Sequence, residues 1–402
     1  MIFESMKHSN FIYRNGISLK TISGESSAVT NEMIAPWNET TLPTLLSNYK
    51  LENIFNADEF GLFYQCLPNK TYHLSGEKCS GGKNSKVRLT GMAAASATGE
   101  KLPMFVIGKS KTPRCFKNVK QLPCRYRNQK KSWMCGDLFE EWVKMLDSTF
   151  RAHDRKVVLL VDNCTAHPKI ENLTNINMIF LPPNTTSVLQ PMDQGVIRSL
   201  KAHYRSRIVR LCIKALDKNH PLPKVSILEA MKHLVSSWHA VSEKTIVNCF
   251  KKANISSSNQ QIAETDADDP FKCLVEELDR LREIDHDAVQ KELSAESFIG
   301  LDNDVVTSAS IINDDDIVAD ILPDADDDDD GEDVDGDVDV PPLQRPSYYE
   351  CEEALDKLHN LSLFSSHGEE IQSLTLKMEA LMNKDRLESL QQRYVTDYFK
   401  KV

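Results

Sequence analysis

The sequence lacks any run of about 18 consecutive apolar residues, so no segment is long enough to cross a membrane as a helix. Residues 1–7 lack the apolar core of a secretory signal. The ten cysteines include no C-x-x-C pair, which argues against a zinc ribbon and against a disulfide framework. We therefore expect a soluble, intracellular protein with reduced thiols and no membrane partner.

Positive charge is missing from one part of the chain and in excess in another. Residues 301–340 contain 17 Asp and Glu and no Lys or Arg. Such a segment cannot bury enough apolar surface to order itself, so we expect residues 261–342 to be acidic and largely disordered. Residues 51–260 carry 32 Lys and Arg against 16 Asp and Glu. This excess is typical of proteins that bind phosphate backbones, while the acidic segment could contact basic chromatin proteins.

The apolar pattern from Asn53 onward predicts three strands, followed by alternating strands and helices. A mixed sheet with helices packed on it, in the α/β class, is the architecture that such an order favours. In chain order after the first strand, the predicted elements are strands at 87–96 and 102–107, a helix at 138–150, a strand at 157–161, a short helical crossover near 170–173 and a strand at 178–181.

Helices dominate the chain after Pro191. A long amphipathic helix rich in arginine follows this proline, and two shorter helices are predicted at 226–237 and 242–252. Helical periodicity returns in the last 60 residues. We therefore divide the chain into a short N-terminal fragment, a mixed-sheet domain, a helical extension, the acidic segment and a helical tail, with bounds at 1–50, 51–215, 216–260, 261–342 and 343–402.

Three aspartates each end an apolar run or the connection that leaves it: Asp58, Asp162 and Asp193. Carboxylate clusters hold Mg²⁺ against phosphate oxygens, and functional groups of open α/β sheets gather where strands end. Each aspartate also has an ordinary explanation, as a helix cap at Asp193 or a turn residue at Asp58 and Asp162. Because neighbouring strand residues point to opposite faces, Glu59 cannot share a site with Asp58, and we expect Glu59 to face solvent.

Five ordered segments carry a family resemblance. They read NADE, GEKCSGGK, VIGKS, VDNCTAH and LPPNTTSVLQPMDQG and begin at residues 56, 76, 106, 161 and 181. Together they closely resemble the transposases of the pogo and Tigger group, which belong to the mariner-like superfamily and are related to centromere protein B. The 30 residues between Asp162 and Asp193 match the spacing of pogo-like catalytic domains.

This resemblance implies an RNase H-like fold with a three-aspartate endonuclease site in a nuclear, DNA-binding protein. Asp58 would be the first carboxylate, Asp162 the second and Asp193 the third. In the family, two Mg²⁺ ions, replaceable by Mn²⁺, activate water or a DNA 3′-hydroxyl to attack a phosphodiester. A two-metal site of this kind stabilises both the attacking and the leaving oxygen.

Three features depart from the family or leave alternatives open. Phe60 stands where pogo-like proteins place a small hydroxyl residue, and we expect the ring to crowd the first metal ligand. Residues 1–50 correspond to a remnant of the helix-turn-helix region, with only its last turn retained near residues 11–25. His167 could contact DNA phosphate, orient the loop of the site, or serve only as a structural residue in the turn.

The C-terminus offers a partner motif. Gln392, Val395, Tyr398 and Phe399 are spaced as in the box by which proteins dock on the replication sliding clamp, PCNA. A one-turn helix would present the three apolar side chains as a plug and the glutamine to a polar pocket.

Three functions are compatible with these patterns. The first is a metal-dependent DNA endonuclease or strand transferase. The second is a domesticated nuclear DNA- or chromatin-binding protein without catalysis. The third is a generic RNase H-like nuclease with other nucleic-acid substrates.

Overall fold

The computed structural model describes residues 29–68, 87–256, 270–285, 289, 293–303, 305–308 and 345–389. The chain divides into two compact units, Met1–Pro341 and Pro342–Val402. Among the described residues, no helix is both long and apolar enough to span a membrane. The nine cysteines among the described residues are free thiols.

Six strands form the sheet of the first unit. Their order across the sheet is β4-β3-β2-β1-β5-β6. Strand β2 is antiparallel to both β1 and β3, while β1, β5 and β6 are parallel, as are β3 and β4. The bounds are Ile54–Phe63 (β1), Arg88–Ser96 (β2), Phe105–Gly108 (β3), Arg125–Asn128 (β4), Val157–Val161 (β5) and Ile176–Phe180 (β6). The predicted α/β class, with an RNase H-like mixed sheet and flanking helices, is confirmed.

Helices cover both faces of this sheet, which is why β5 is buried at every position. One face packs on helix α3, whose apolar stripe includes Phe139, Trp142 and Leu146. The other face packs on three later helices, α5, α6 and α7. The helices of this unit are Asn31–Pro36 (α1), Leu42–Asn48 (α2), Gly136–Ala152 (α3), Thr186–Leu189 (α4), Ile197–Asp217 (α5), Ile227–Ala240 (α6), Glu243–Lys252 (α7), Pro270–Ile284 (α8) and Ala295–Ile299 (α9).

The connection from β5 to β6 is a loop, so the short helical crossover predicted near residues 170–173 is wrong. Asn172 has a left-handed φ of 64°, which a helix does not accommodate. The carboxylate of Asp147 on α3 accepts backbone N–H bonds from Thr174, Asn175 and Ile176 at 3.0, 2.7 and 2.9 Å. These bonds satisfy the donors that a helix would otherwise use.

The prediction that residues 261–342 are largely disordered is wrong for two parts of that range. Helix α8 buries Leu274, Leu278 and Leu281 against α5, and α9 buries Phe298. Composition alone did not predict these helices, because it counts the many charged residues and ignores the helical spacing of the few apolar ones. That spacing places the apolar side chains on one buried face of the helix and the charged side chains on the solvent face. Residues 300–302 add a turn of 3-10 helix, and residues 261–269 and 309–342 lie outside the described residues.

The second unit is a pair of helices, α10 (Tyr348–Ser362) and α11 (Gly368–Ser389), which contact each other. Ser347 caps α10 through a reciprocal capping box with Glu350. The proposed sliding-clamp residues Gln392, Val395, Tyr398 and Phe399 lie outside the described residues, as do residues 11–25 and 76–83.

Candidate active site

The sheet brings two of the three aspartates side by side. Asn56 of β1 is in register with Leu160 of the parallel strand β5. The ladder ends at this pair, two residues before Asp58 and Asp162, and Asp162 is close enough for its charge to raise the pKa of Asp58. The parallel pairing of β1 with β5 therefore brings the segments that contain Asp58 and Asp162 together.

Asp193 reaches the same place from a turn of π-helix, Met192–Val196, which leads into α5. The turn contains Gly195 at φ 143°, a conformation that side-chain-bearing residues rarely adopt. Asp193 shares a side-chain hydrogen bond with Asp58. Asp162 directly follows β5 and Asp193 lies in the turn before α5, whereas Asp58 lies inside β1, so the expectation that all three aspartates stand at strand ends is wrong for Asp58.

A buried brace of two amide side chains ties these segments together. Asn56 donates to the backbone oxygen of Leu160 at 3.0 Å and to Gln190 Oε1 at 3.1 Å, and it accepts from the N–H of Met192 at 2.9 Å. Gln190 donates to the backbone oxygen of Ala57 at 3.2 Å. Both side chains are essentially inaccessible to solvent, with 0% and 1% exposure. The brace fixes β1, β5 and the Asp193 turn against one another.

The electrostatics of the site centre on Asp58, which is 9% exposed, whereas Asp162 is half-buried and Asp193 exposed. Burial, the nearby negative charges of Asp193, Glu59 and Asp162, and the hydrogen bond with Asp193 raise the pKa of Asp58 well above its usual value. The described residues contain no His, Cys, Asp or Glu trio already arranged as metal ligands. The carboxylates converge, but they are not in a ready-made coordination geometry.

Glu59 does not face solvent, which corrects our expectation for that residue. Its side chain is 4% exposed, and its Oε1 lies 2.8 Å from His167 Nε2. The other ring nitrogen of His167, Nδ1, lies 2.6 Å from Asp162 Oδ1. Glu59 therefore contributes to the site indirectly, on the opposite face of β1 from Asp58.

His167 links Glu59 to Asp162 and stacks on Phe139 at a ring-centroid distance of 4.2 Å. Burial alone would lower the pKa of His167, but the charges of Glu59 and Asp162, together with the hydrogen bonds that the ring donates to both carboxylates, raise it to about 11. The imidazolium is therefore charged at neutral pH and orients the Asp162 carboxylate. Of the three alternatives that the sequence left open, the contacts favour a role in orienting the loop of the site.

Phe60 packs away from the aspartate pair, contrary to the crowding expected from the sequence. It is paired with Gly91 on β2, which lies on the opposite side of β1 from β5. A Cβ atom on Gly91 would come within 2.5 Å of the Phe60 ring. The ring thus occupies the space that the glycine leaves open, and the two residues are complementary in size.

Replacing Gly91 with Ala should therefore destabilise the fold by about 1–3 kcal/mol, the usual cost of overpacking a core. The second substitution Phe60→Leu should recover most of that loss because it removes the ring atoms in the clash. Urea denaturation of the two single variants and the double variant measures the coupling. Additive effects of the two substitutions would show that the ring and the glycine do not share this space.

Sequence reasoning missed the functional importance of Asn56 and Gln190. Both stand inside segments that carried the family resemblance, and each is a polar residue flanked by buried positions. A buried amide needs hydrogen-bond partners, and this was the available signal. Asn163, beside Asp162, is exposed and is not part of the brace.

Comparison with known proteins agrees with this arrangement. Residues 86–250 match the DDE superfamily endonuclease family. The chain is 34% identical over 308 residues to Tigger transposable element-derived protein 4 of Mus musculus, covering 76% of this chain and 59% of that protein. It is 30% identical over 265 residues to CENP-B homolog protein 2 of Schizosaccharomyces pombe, covering 62% of this chain and 50% of that protein. The chain thus spans less than two thirds of each of these relatives.

Among solved structures, the Mos1 mariner paired end complex with Mn is similar at a TM-score of 0.37 and 12% identity, covering 62% of this chain and 67% of that one. The fold assignment rests on the sheet order described above.

The fold, the order of the motifs and the family match define a transposase-derived DDE endonuclease domain. The chain is similar to Tigger transposable element-derived proteins and to relatives of centromere protein B.

Proposed function

We propose that this chain is a nuclear DNA-binding protein whose Asp58, Asp162 and Asp193 hold two Mg²⁺ or Mn²⁺ ions and support cleavage of DNA phosphodiesters. The observation that carries the proposal is the meeting of Asp58 with Asp193 and Asp162, where like charges raise the pKa of a buried carboxyl group. Carboxylates held together at such a cost are typical of functional sites. A nuclear location follows from chromosomal DNA as the proposed partner.

The donor set fits hard divalent cations, which prefer carboxylate oxygens. Asp58 and Asp193 already share a hydrogen bond, and the cation would replace the proton between them. When bound, the metal would supply charge stabilisation to the attacking and leaving oxygens of the phosphodiester. The chain's own residues position the ligands: His167 orients Asp162, while Asn56 and Gln190 hold β1 and the Asp193 turn in register.

A second candidate is a DNA- or chromatin-binding protein without catalysis. It is favoured by the absence, among the described residues, of a ready-made group of metal ligands and by the engagement of Asp162 with His167. In that case residues 51–260, which carry the excess of Lys and Arg, would bind DNA. The acidic segment would bind basic chromatin proteins, and the C-terminal motif with Gln392, Val395, Tyr398 and Phe399 would bind PCNA.

The two candidates are distinguished by nicking of supercoiled DNA in Mg²⁺ or Mn²⁺. Under the endonuclease proposal, the wild-type protein nicks DNA only when metal is present, and Asp162→Ala does not. Equal cleavage by both proteins, or none by either, would reject the endonuclease proposal. The conservative variant Glu140→Gln, on the surface of α3, is the matched control and should cleave as the wild type does.

A further inference from the structure

A segment rich in positive charge lies at the edge of the sheet that β4 forms. Residues 109–131 contain nine Lys and Arg and no Asp or Glu. They form the connection from β3 to β4, strand β4 itself, and the turn that follows. Strand β4 is the last strand on this side of the sheet.

Packing holds this connection in place. Cys115 is buried in the core, and Phe116, Val119 and Leu122 pack against it. The Tyr126 hydroxyl also donates to the backbone oxygen of Ser110 at 2.6 Å. A connection anchored at these points presents its charges without a large ordering cost on binding.

Four lysines alternate with the anchoring residues and point outward. Lys109, Lys111, Lys117 and Lys120 are all exposed. None of the four forms an ion pair with another described residue. We call them the lysine edge. They are available to an external polyanion.

The arginines of the basic helix α5 differ in this respect. Arg205 is buried against Asp302, and Arg198 and Arg210 pair with Glu296 and Glu277. The acidic partners all come from helices α8 and α9 or the turn that follows them. Three of the six Lys and Arg residues of α5 are therefore paired with acidic residues within the fold.

Topology places the lysine edge near the aspartates. Of the six described strands, all except β2 run in the same direction. The connections after β3 and β5 therefore both leave from the carboxyl ends of the parallel strands. Phe60 and Leu62 of β1 lie in the same core cluster as Cys115, and strand alternation puts Asp58 on that face too. The lysine edge therefore lies at the same end of the strands as Asp162, and Asp58 lies on the face of the sheet against which Cys115 packs.

We propose that the lysine edge binds the phosphate backbone of duplex DNA beside the site where the aspartates act. The proposal rests on the proposed function and adds the surface that holds the substrate. Three strand spacings of about 4.8 Å separate β4 from β1, roughly 14 Å in all. At about 3.4 Å per base pair, a duplex at the aspartates reaches the lysine edge after roughly four base pairs.

The test compares two full-length variants that lose the same charge. One carries Lys109→Gln, Lys111→Gln, Lys117→Gln and Lys120→Gln. The matched control carries Gln at four other exposed lysines, Lys214, Lys218, Lys224 and Lys232. Affinity for a 30-base-pair duplex is measured in EDTA over a range of salt concentrations, and thermal unfolding checks that both variants fold.

The lysine-edge variant is expected to bind at least about 30-fold more weakly at low salt. Its plot of log K against log salt should be shallower by about 3.6, which is about 0.9 for each of the four lost phosphate contacts. The control should change affinity less than about threefold. Equal losses in both variants would overturn the lysine edge but leave DNA binding intact. Unchanged or tighter binding, expected if the lysines hold the chain's own acidic residues 309–340, would also overturn it. A wild-type protein that binds no duplex would overturn the proposed function as well.

Discussion

Replacing Asp58 with Asn is expected to stabilise the metal-free protein while abolishing metal-dependent cleavage. In the metal-free state, Asp58 is a buried carboxyl group surrounded by the negative charges of Asp193, Glu59 and Asp162. Asn is nearly the same size and carries no charge, so it removes this repulsion. The gain should be about 0.5–2 kcal/mol, the usual size of a stabilising substitution at a site kept for activity.

The same substitution removes a proposed metal ligand. We therefore expect a loss of cleavage of at least about 10³-fold, as for residues that act as part of one catalytic unit. Wild-type protein should also gain about 2.7 kcal/mol of stability at a Mn²⁺ concentration 100 times its dissociation constant, and Asp58→Asn should lose this gain. Differential scanning fluorimetry in EDTA and in Mn²⁺ measures both effects.

Asp217→Asn, at the exposed end of α5, is the matched control because it changes the same charge away from the site. It should leave both the metal-free midpoint and the Mn²⁺ shift unchanged. An Asp58→Asn variant that is less stable than the wild type in EDTA, or that keeps the Mn²⁺ shift, would contradict the placement of Asp58 among the three carboxylates.

The pH dependence of this difference follows from the raised pKa of Asp58. A group whose pKa is raised by folding stabilises the fold when protonated, and that stabilisation is lost as pH rises through the folded pKa. The groups that act on Asp58 are Asp193, Glu59 and Asp162, with buried Lys201 nearby. The advantage of Asp58→Asn in EDTA should therefore be largest at neutral pH and shrink as pH falls toward the unfolded value of about 3.9.

The sequence predicted five of the six described strands because those five are apolar runs, and it missed β4, whose residues Arg125–Asn128 are mostly polar. Val157–Val161 was predicted with its observed bounds, and the helix at 138–150 was found within Gly136–Ala152. The spacing of apolar residues along a short stretch of chain determines such strands and helices, and this spacing can be read from the sequence. The sequence pattern and the family resemblance favoured a shared site for the three aspartates, but the expected position of Asp58 at a strand end was wrong because β1 continues to Phe63.

Three features could not be predicted because they depend on contacts between distant segments. Glu59 and His167 are 108 residues apart, and nothing local indicates that they meet. The size match of Phe60 with Gly91 depends on the register of β1 and β2. The order in residues 270–303 was missed because acidic composition outweighed a helical apolar spacing that was visible but sparse.

Replacing Asp302 with Ala is the substitution expected to cost the fold most. Arg205 Nη2 donates to both carboxylate oxygens of Asp302, at 2.8 and 2.6 Å, and Nη1 donates to the backbone oxygen of Phe63 at 2.9 Å. Both side chains are fully buried. Removing one partner of such a pair leaves an uncompensated charge in the core and costs about 3–5 kcal/mol.

Three variants separate this buried pair from a surface effect. Glu296→Ala removes the exposed partner of Arg198 on the neighbouring helix α9 and should cost at most about 1 kcal/mol. The double variant Arg205→Met with Asp302→Leu should recover most of the loss, because apolar residues of similar volume often replace a buried ion pair without penalty. Urea midpoints give the three values. If the acidic composition governed residues 293–303, Asp302→Ala would behave as Glu296→Ala does. A large loss that the double variant reverses requires instead that Asp302 lies in the core against Arg205.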